Sequence, residues 1–393
     1  KDKNYQDVSG CGNTIAANRG LVRKLIIESL KCWASELGVD GFRFDLGIAL
    51  SRGENLSPLD NPPIFEDIEC EPELVDIKFI SEPWDCGGLY KLGDFPSKNT
   101  FTWNGHFRDD LRRFWKGDKD TAWNMSDKIK GTPSIYKEDN IFPKSINFIT
   151  SHDGFTLKDL VTFNRKHNFA NREQNRDGDN HNNSWNHGTE GPTTNLLIND
   201  LRKRQQKNLI LSLLISKGVP MILMGDEIGR SQGGNNNSWC QNNLLGWMNW
   251  EHGQQDLELL EYFKYVIKIR KKLINIFNPS FFPNNQTNEN IPTYHWHGTK
   301  LDSPDWSSWS HTVAFSINKG ITNPLVWIGL NAYSKSIDFP LPKCKYNWLK
   351  VIDTSMSEIF EPLTINEKSV SIKSRSSLLI ISEEVFGAKN NIF

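Results

Sequence analysis

Apolar positions along the first 275 residues recur at two periods, and the alternation between them predicts the architecture. Residues 21–36, LVRKLIIESLKCWASE, place Leu21, Leu25, Leu30 and Trp33 at helical spacing, with Asn18 as a cap and Gly38 closing the segment. The run at 39–46, VDGFRFDL, then reads as a strand. After the proline-dense loop SRGENLSPLDNPP come a helix around 63–73 and a second apolar strand, Val75 to Ile80, ending in SEPWD. Residues 106–118 read as a helix, and a third strand, Ser145 to Thr150, ends in SHDGF. A helix at 198–217 feeds a strand over 218–227, GVPMILMGDE, and a further helix covers 256–274. Strands alternating with helices imply parallel βαβ units.

The texture changes further on. TVAFSI, PLVWIGLN, WLKVID, SVSIKS and SSLLIIS are short alternating strands bounded by turn signals. They predict a separate antiparallel β domain over 290–393, reached through the Asn/Pro-rich linker 277–292. The polar, asparagine-rich stretch 162–192 is too long for an ordinary connection and reads as a functional loop.

Candidate chemistry gathers at the strand ends. Alternate residues of a strand share a face, so Arg43 and Asp45 stand side by side, opposite Phe42, Phe44 and Leu46. A guanidinium beside a carboxylate keeps it ionised and aims it. A structural ion pair is the plainer reading of these two residues alone. Glu82 and Asp153, however, end two further strands in the same way. At the C-terminal ends of parallel strands such groups converge, and repulsion between them raises at least one pKa. Acid and carboxylate side by side are what glycosidic bond cleavage requires, at about 5–5.5 Å apart in a retaining mechanism.

Composition narrows the rest. In 393 residues, 46 basic and 47 acidic side chains leave a net charge of −1, which argues against nucleic acid or an anionic membrane as partner. No window approaches the ~18 consecutive apolar residues of a membrane span. The 6 cysteines are scattered without metal-ligand spacing and suggest reduced thiols in a cytosolic compartment. Of the 14 tryptophans, Trp84, Trp103, Trp185, Trp239 and Trp247 sit among polar neighbours, as rings facing a hydroxyl-rich ligand do. Nothing calls for a cofactor or a metal. NRDGDNHNN (175–183) lacks the full ligand set of a calcium loop and reads as solvated, and GGNNNS (233–238) lacks the lysine of a phosphate loop.

The ordered set GFRFD, SEPWD and SHD resembles the motif regions of the α-amylase superfamily of glycoside hydrolases, within it the isoamylase and glycogen-debranching branch. SGCGNT (9–14), SEPWDCGGLYKLGDFP (81–96), WNGHFRDDLRRFWKGD (103–118) and VPMILMGDEIGRSQGGNNNSWC (219–240) carry the same resemblance, which runs from about residue 5 to 275. It implies Asp45 as nucleophile, Glu82 as general acid/base, and Asp153 and His152 on the hydroxyls of the reacting sugar. Arg43 would orient Asp45, and Trp84 and Trp103 would stack on glucose rings. The implied substrate is branched α-glucan, glycogen or starch, in the cytosol or a plastid stroma. A branching enzyme or other transglycosylase uses the same machinery, and a non-catalytic glucan-binding or partner subunit is the reading from another class.

The resemblance also implies strands four to eight of a TIM (β/α)8 barrel over residues 1–276, followed by the antiparallel β-sandwich of 290–393. The family's first motif, similar to DVVxNH, would precede SGCGNT. The chain begins with Lys1, and the expectation is that it is part of a longer protein.

Overall fold

The computed structural model describes residues 5–136, 144–251, 253–277, 292–320, 323–356 and 361–387; most of the expected linker 277–292 lies outside them. The chain divides into two compact units, residues 1–104 with 133–147 and residues 105–132 with 148–393.

The first unit is a parallel α/β layer. Helix α1 (Gly20–Lys31) runs on through a wider turn at Cys32–Glu36 and ends before Gly38, whose positive φ of 72° reverses the chain. Its cap position is Arg19, not Asn18, and no side chain caps it. Strand β1 (Gly41–Phe44) follows, then α2 (Pro63–Glu69), which opens on a proline where no backbone N–H is needed. Strands β2 (Lys78–Ser81), β3 (Thr100–Trp103) and β4 (Ser145–Phe148) continue the sheet, in the order β1-β2-β3-β4. All three pairings are parallel, as the alternation of periods required.

Ile64, Phe65, Ile68 and Leu74 pack with Leu30 and Phe79 to form this unit's core. The apolar stripe expected to bury α1 behaves differently: Leu21 and Leu25 remain 86% and 67% exposed, and Trp33 and Leu37 are exposed too. Only the side bearing Leu30, Ile26 and Ile27 meets the core.

The second unit opens on α3 (Gly105–Lys116), whose Phe107, Leu111, Phe114 and Trp115 are buried along one side at helical spacing. Next come α4 (Ala122–Ile129) and the short α5 (Leu157–Leu160), then α6 (Leu196–Ile215). Asn195 caps α6, its Oδ1 accepting from the N–H groups of Leu197 and Ile198 at 3.0 and 3.3 Å. The strand expected over 218–227 is only β5 (Val219–Met221); a tight turn at Asp226–Ile228 follows, between Gly225 and Gly229 at positive φ. Helix α7 (Gln254–Phe277) completes the helical layer.

Among the described residues, eight antiparallel strands follow: β6 (Pro292–His297), β7 (Thr312–Lys319), β8 (Asn323–Asn331), β9 (Ile337–Pro340), β10 (Trp348–Asp353), β11 (Leu363–Ile365), β12 (Ser369–Ile372) and β13 (Ser376–Ser382). A short terminal helix, α8 (Glu383–Gly387), follows β13. Six strands make a sheet in the order β11-β10-β13-β8-β7-β6, and β12 pairs β9 in a two-stranded ladder. Trp327, Phe339, Ile372 and Ile380 are all buried in one cluster joining ladder and sheet, with the Trp327 and Phe339 rings 6.1 Å apart. An isolated pair of strands is marginal in water, so this contact holds the ladder in place. Phe339→Ala should therefore cost about 3–5 kcal/mol, read as a lower midpoint of urea unfolding.

The asparagine-rich stretch 162–192 is internally cross-linked, while most of 175–183 within it, read as solvated, is exposed or half-buried. Asn168, Asn171, Asn182, Asn235 and Asn236 are buried. Asn168 Nδ2 donates to Asn236 Oδ1 at 2.8 Å, and Asn236 Nδ2 to Asn182 Oδ1 at 2.8 Å. Lys166 places its ammonium on the carbonyls of Arg176, Asp177 and Gly178, at 3.0, 2.7 and 3.0 Å, inside the turn that resembled a calcium loop. Among the described residues no group of three or more His, Cys, Asp or Glu side chains is placed to hold a metal ion.

Candidate active site

In the first unit β1 and β2 end level. Phe44 pairs with Ser81, so Asp45 and Glu82 are the next residues on neighbouring parallel strands, and Glu82 N–H donates to Phe44 O at 3.1 Å. Asp45 points outward, with 76% of its side chain exposed. Glu82 is buried at 3% exposure.

Arg43 serves both carboxylates. Its Nη1 donates to Asp45 Oδ1 at 3.1 Å, and its Nη2 makes a short contact with Glu82 Oε1. The other Glu82 oxygen accepts from Leu46 N–H at 2.8 Å. That N–H is turned inward because Leu46 adopts a left-handed conformation, φ 42° and ψ 40°, uncommon for a residue with a branched side chain. Burial pushes the Glu82 carboxyl up to about 7, against the opposing pull of Leu46 N–H and Arg43; the neighbouring Asp45 pushes the same way as burial. The pair therefore consists of one open carboxylate and one buried carboxyl group that holds its proton to near neutrality. That division of labour is the one acid/nucleophile chemistry needs.

Trp103, expected on a glucose ring, is 8% exposed, and its ring lies under the Arg43 guanidinium at 4.4 Å. Trp84 is half-buried and meets Tyr90 edge-on, ring centres 5.9 Å apart. Sequence reasoning missed Asp85, whose carboxylate takes both ends of the Arg52 fork and the N–H groups of Gly87 and Leu89, shaping the turn after Glu82. Because Arg43 opposes the rise in the Glu82 pKa, Arg43→Gln should raise it further, by about one unit or more. A carbon-13 titration of the Glu82 carboxyl measures this.

His152 and Asp153 belong to the second unit, just after β4. They face each other, His152 Nε2 3.4 Å from Asp153 Oδ2, with 55% and 72% of their side chains exposed. The loop carrying them is fixed at both ends by Asp226, which sequence reasoning had placed in a strand. Thr150 Oγ1 donates to Asp226 Oδ2, and Leu157 N–H donates to Asp226 Oδ1 at 2.9 Å. Burial pushes Asp226 up to about 7. Gly154 N–H adds a bond to Asn236 O at 2.9 Å. Arg112, fully buried, donates through Nε to Ile149 O at 2.9 Å and through Nη1 to Asn182 O at 3.0 Å. Burial lowers its pKa to about 9. An arginine on the apolar side of α3 was the signal available in the sequence.

This arrangement is an α/β amylase-type fold with a C-terminal β domain. The structure matches a pullulanase from Bacillus acidopullulyticus with a TM-score of 0.67 and 20% identity, over 96% of this chain and 42% of that one. It matches a pullulanase from Anoxybacillus sp. LM18-11 complexed with maltotetraose with a TM-score of 0.65 and 18% identity, over 96% of this chain and 49% of that one. Along nearly its whole length the chain is similar in sequence to isoamylases and GlgX-type proteins. It is 39% identical over 382 residues to Isoamylase 1, chloroplastic, of Oryza sativa subsp. japonica, covering 92% of this chain and 47% of that protein. It is 36% identical over 400 residues to the glycogen operon protein GlgX homolog of Mycobacterium tuberculosis, covering 96% of this chain and 55% of that protein. Residues 295–384 match the family described as Isoamylase 1-3, C-terminal. The chain thus spans about half the length of the curated relatives it matches.

Proposed function

We propose that this chain carries the catalytic strand ends of an α-1,6-glucan debranching hydrolase acting on glycogen or starch. The observation that carries the reading is the Asp45–Arg43–Glu82 constellation: an exposed carboxylate and a buried carboxyl group with its pKa near 7, held by one guanidinium on adjacent parallel strand ends. Homology to isoamylases and to a GlgX-type protein supports the substrate class.

In the proposed double displacement, Glu82 gives its proton to the glycosidic oxygen while an Asp45 oxygen attacks the anomeric carbon of the outer chain; the inner chain departs with its 6-hydroxyl restored, and the outer chain stays bonded to Asp45. Glu82, now a carboxylate, takes a proton from water, whose oxygen displaces Asp45 from the sugar. Arg43 holds and aims the Asp45 side chain for the first step through its bond to Oδ1. Asp153 and His152 are assigned to the hydroxyls of the reacting sugar by their place in the motif order, and Trp84 to sugar contact. Trp103 is assigned to the site through Arg43, the guanidinium it carries.

Residues 1–276 are assigned to strands four to eight of a (β/α)8 barrel, and 290–393 to the β-sandwich that follows it. The parallel pairing of β1 to β4, the edge position of β1 and the exposed Leu21 and Leu25 support this assignment. The cytosol or a plastid stroma is the compartment that belongs to this reading. No helix among the described residues is long and apolar enough to cross a membrane.

The test is covalent trapping. A fluorinated maltooligosaccharyl fluoride, incubated with the protein expressed from its full reading frame, should label one peptide. Mass spectrometry should place the sugar on Asp45. A label on another carboxylate would remove the assignment.

A further inference from the structure

We propose that a cleft between α6, α7 and the turn after β10 is a binding site for a phosphoryl dianion, as the ester of a small sugar or as free phosphate. The cleft has a volume of about 290 Å³ and lies wholly in the second unit. This is near the lower bound of small-ligand pockets, about 300 Å³, and suits a single phosphorylated sugar better than a glucan chain. None of the residues assigned to glycoside cleavage lines it.

Its charge is the argument. Lys158, Lys203, Arg204 and Lys207 line the cleft, against Asp200 and Glu258. Positions 200, 203, 204 and 207 fall on one side of α6, so the helix itself assembles the cluster. Arg204 Nη1 donates to Ser374 O at 3.1 Å, and Lys207 Nζ donates to Met356 O at 3.1 Å while lying 5.4 Å from the centre of the Tyr262 ring. Carbonyls and an aromatic ring orient these cations. Lys203 forms an ion pair with Glu258 at 3.7 Å.

Burial lowers the Lys207 pKa, and the neighbouring charges of Lys203 and Arg204 lower it further, against the opposing pull of Glu258. Like charges brought together in this way repel, and a bound dianion relieves the repulsion. A guanidinium and several ammonium groups suit phosphoryl oxygens. Among the described residues the lining contains no aromatic ring on which a neutral glucan could stack, and the excess of positive over negative side chains there opposes a metal cation.

The test is calorimetric titration of this protein at about 50 mM ionic strength, where screening is modest. The titrants are inorganic phosphate, glucose 6-phosphate and glucose. Saturable binding of both phosphates, with none of glucose, is expected. Tighter binding of the ester would show that the cleft reads the sugar as well, and equal binding that it reads the phosphoryl group alone; either supports the site. Lys158→Gln combined with Lys203→Gln should weaken phosphate binding roughly tenfold or more, and Lys203→Arg should retain it. A readout without substitutions is acetylation of Lys158 and Lys203, which phosphate should slow. The proposal is overturned if neither phosphate saturates, or if binding and acetylation are indifferent to the variants and to phosphate. The outcome does not depend on glycosidase activity, so it stands or falls apart from the debranching reading.

Discussion

Asp45→Ala, made in the protein expressed from its full reading frame, should lower release of linear chains from a branched α-glucan by on the order of 10⁵-fold. The reason is local. Asp45 ends β1 with its carboxylate exposed and held by Arg43 at 3.1 Å, so its removal deletes the proposed nucleophile without opening a cavity. Folding stability should change by no more than about 0.5 kcal/mol, as for other exposed side chains. Added azide supplies the missing nucleophile, and attack from the face Asp45 vacates yields the β-glycosyl azide. A comparable loss of activity with a collapsed melting temperature would make Asp45 structural.

Glu82→Gln should cost about 10²–10⁴-fold on natural glucans, the range for a lost general acid. The loss should be much smaller on an aryl α-maltoside, whose leaving group needs no proton. Here azide intercepts the glycosyl–Asp45 intermediate and gives the α-azide, so the product's configuration separates the two carboxyl groups. The wild-type rate should fall above pH about 7, as Glu82 loses its proton.

Stability should carry the same signature. The folded carboxyl titrates near 7 and the unfolded one near 4.5, so between these values the folded state binds more protons. Its contribution to stability therefore falls as pH rises through that window, and the Gln variant lacks this component. A flat difference between wild type and variant from pH 4 to 8 would contradict the burial argument.

The strand-end carboxylates were legible because period-two patterning fixes which residues share a face, and a strand's last residues can be counted. Long helices such as α6 and α7 were legible for the same reason at the helical period. Strand β3 was missed because it is four residues, TFTW, preceded by the polar SKN, and β11 because it is three. The second role of Arg43 could not be read, since Glu82 lies 39 residues away and local pattern carries no pairing information. Asp226 looked like the end of an apolar strand; glycines at positive φ on either side break the extended conformation and turn it into an internal anchor. Trp103 shows the same limit, because polar sequence neighbours do not reveal that its ring is covered by an arginine.

The most direct test of the central claim is a proton NMR time course of glycogen with the protein expressed from its full reading frame, following the α-1,6 and α-1,4 anomeric signals. The α-1,6 signal should fall, one new reducing end should appear for each branch lost, and the α-1,4 signal should hold constant. A constant or growing α-1,6 signal while α-1,4 linkages are consumed would contradict the claim and point to chain transfer instead.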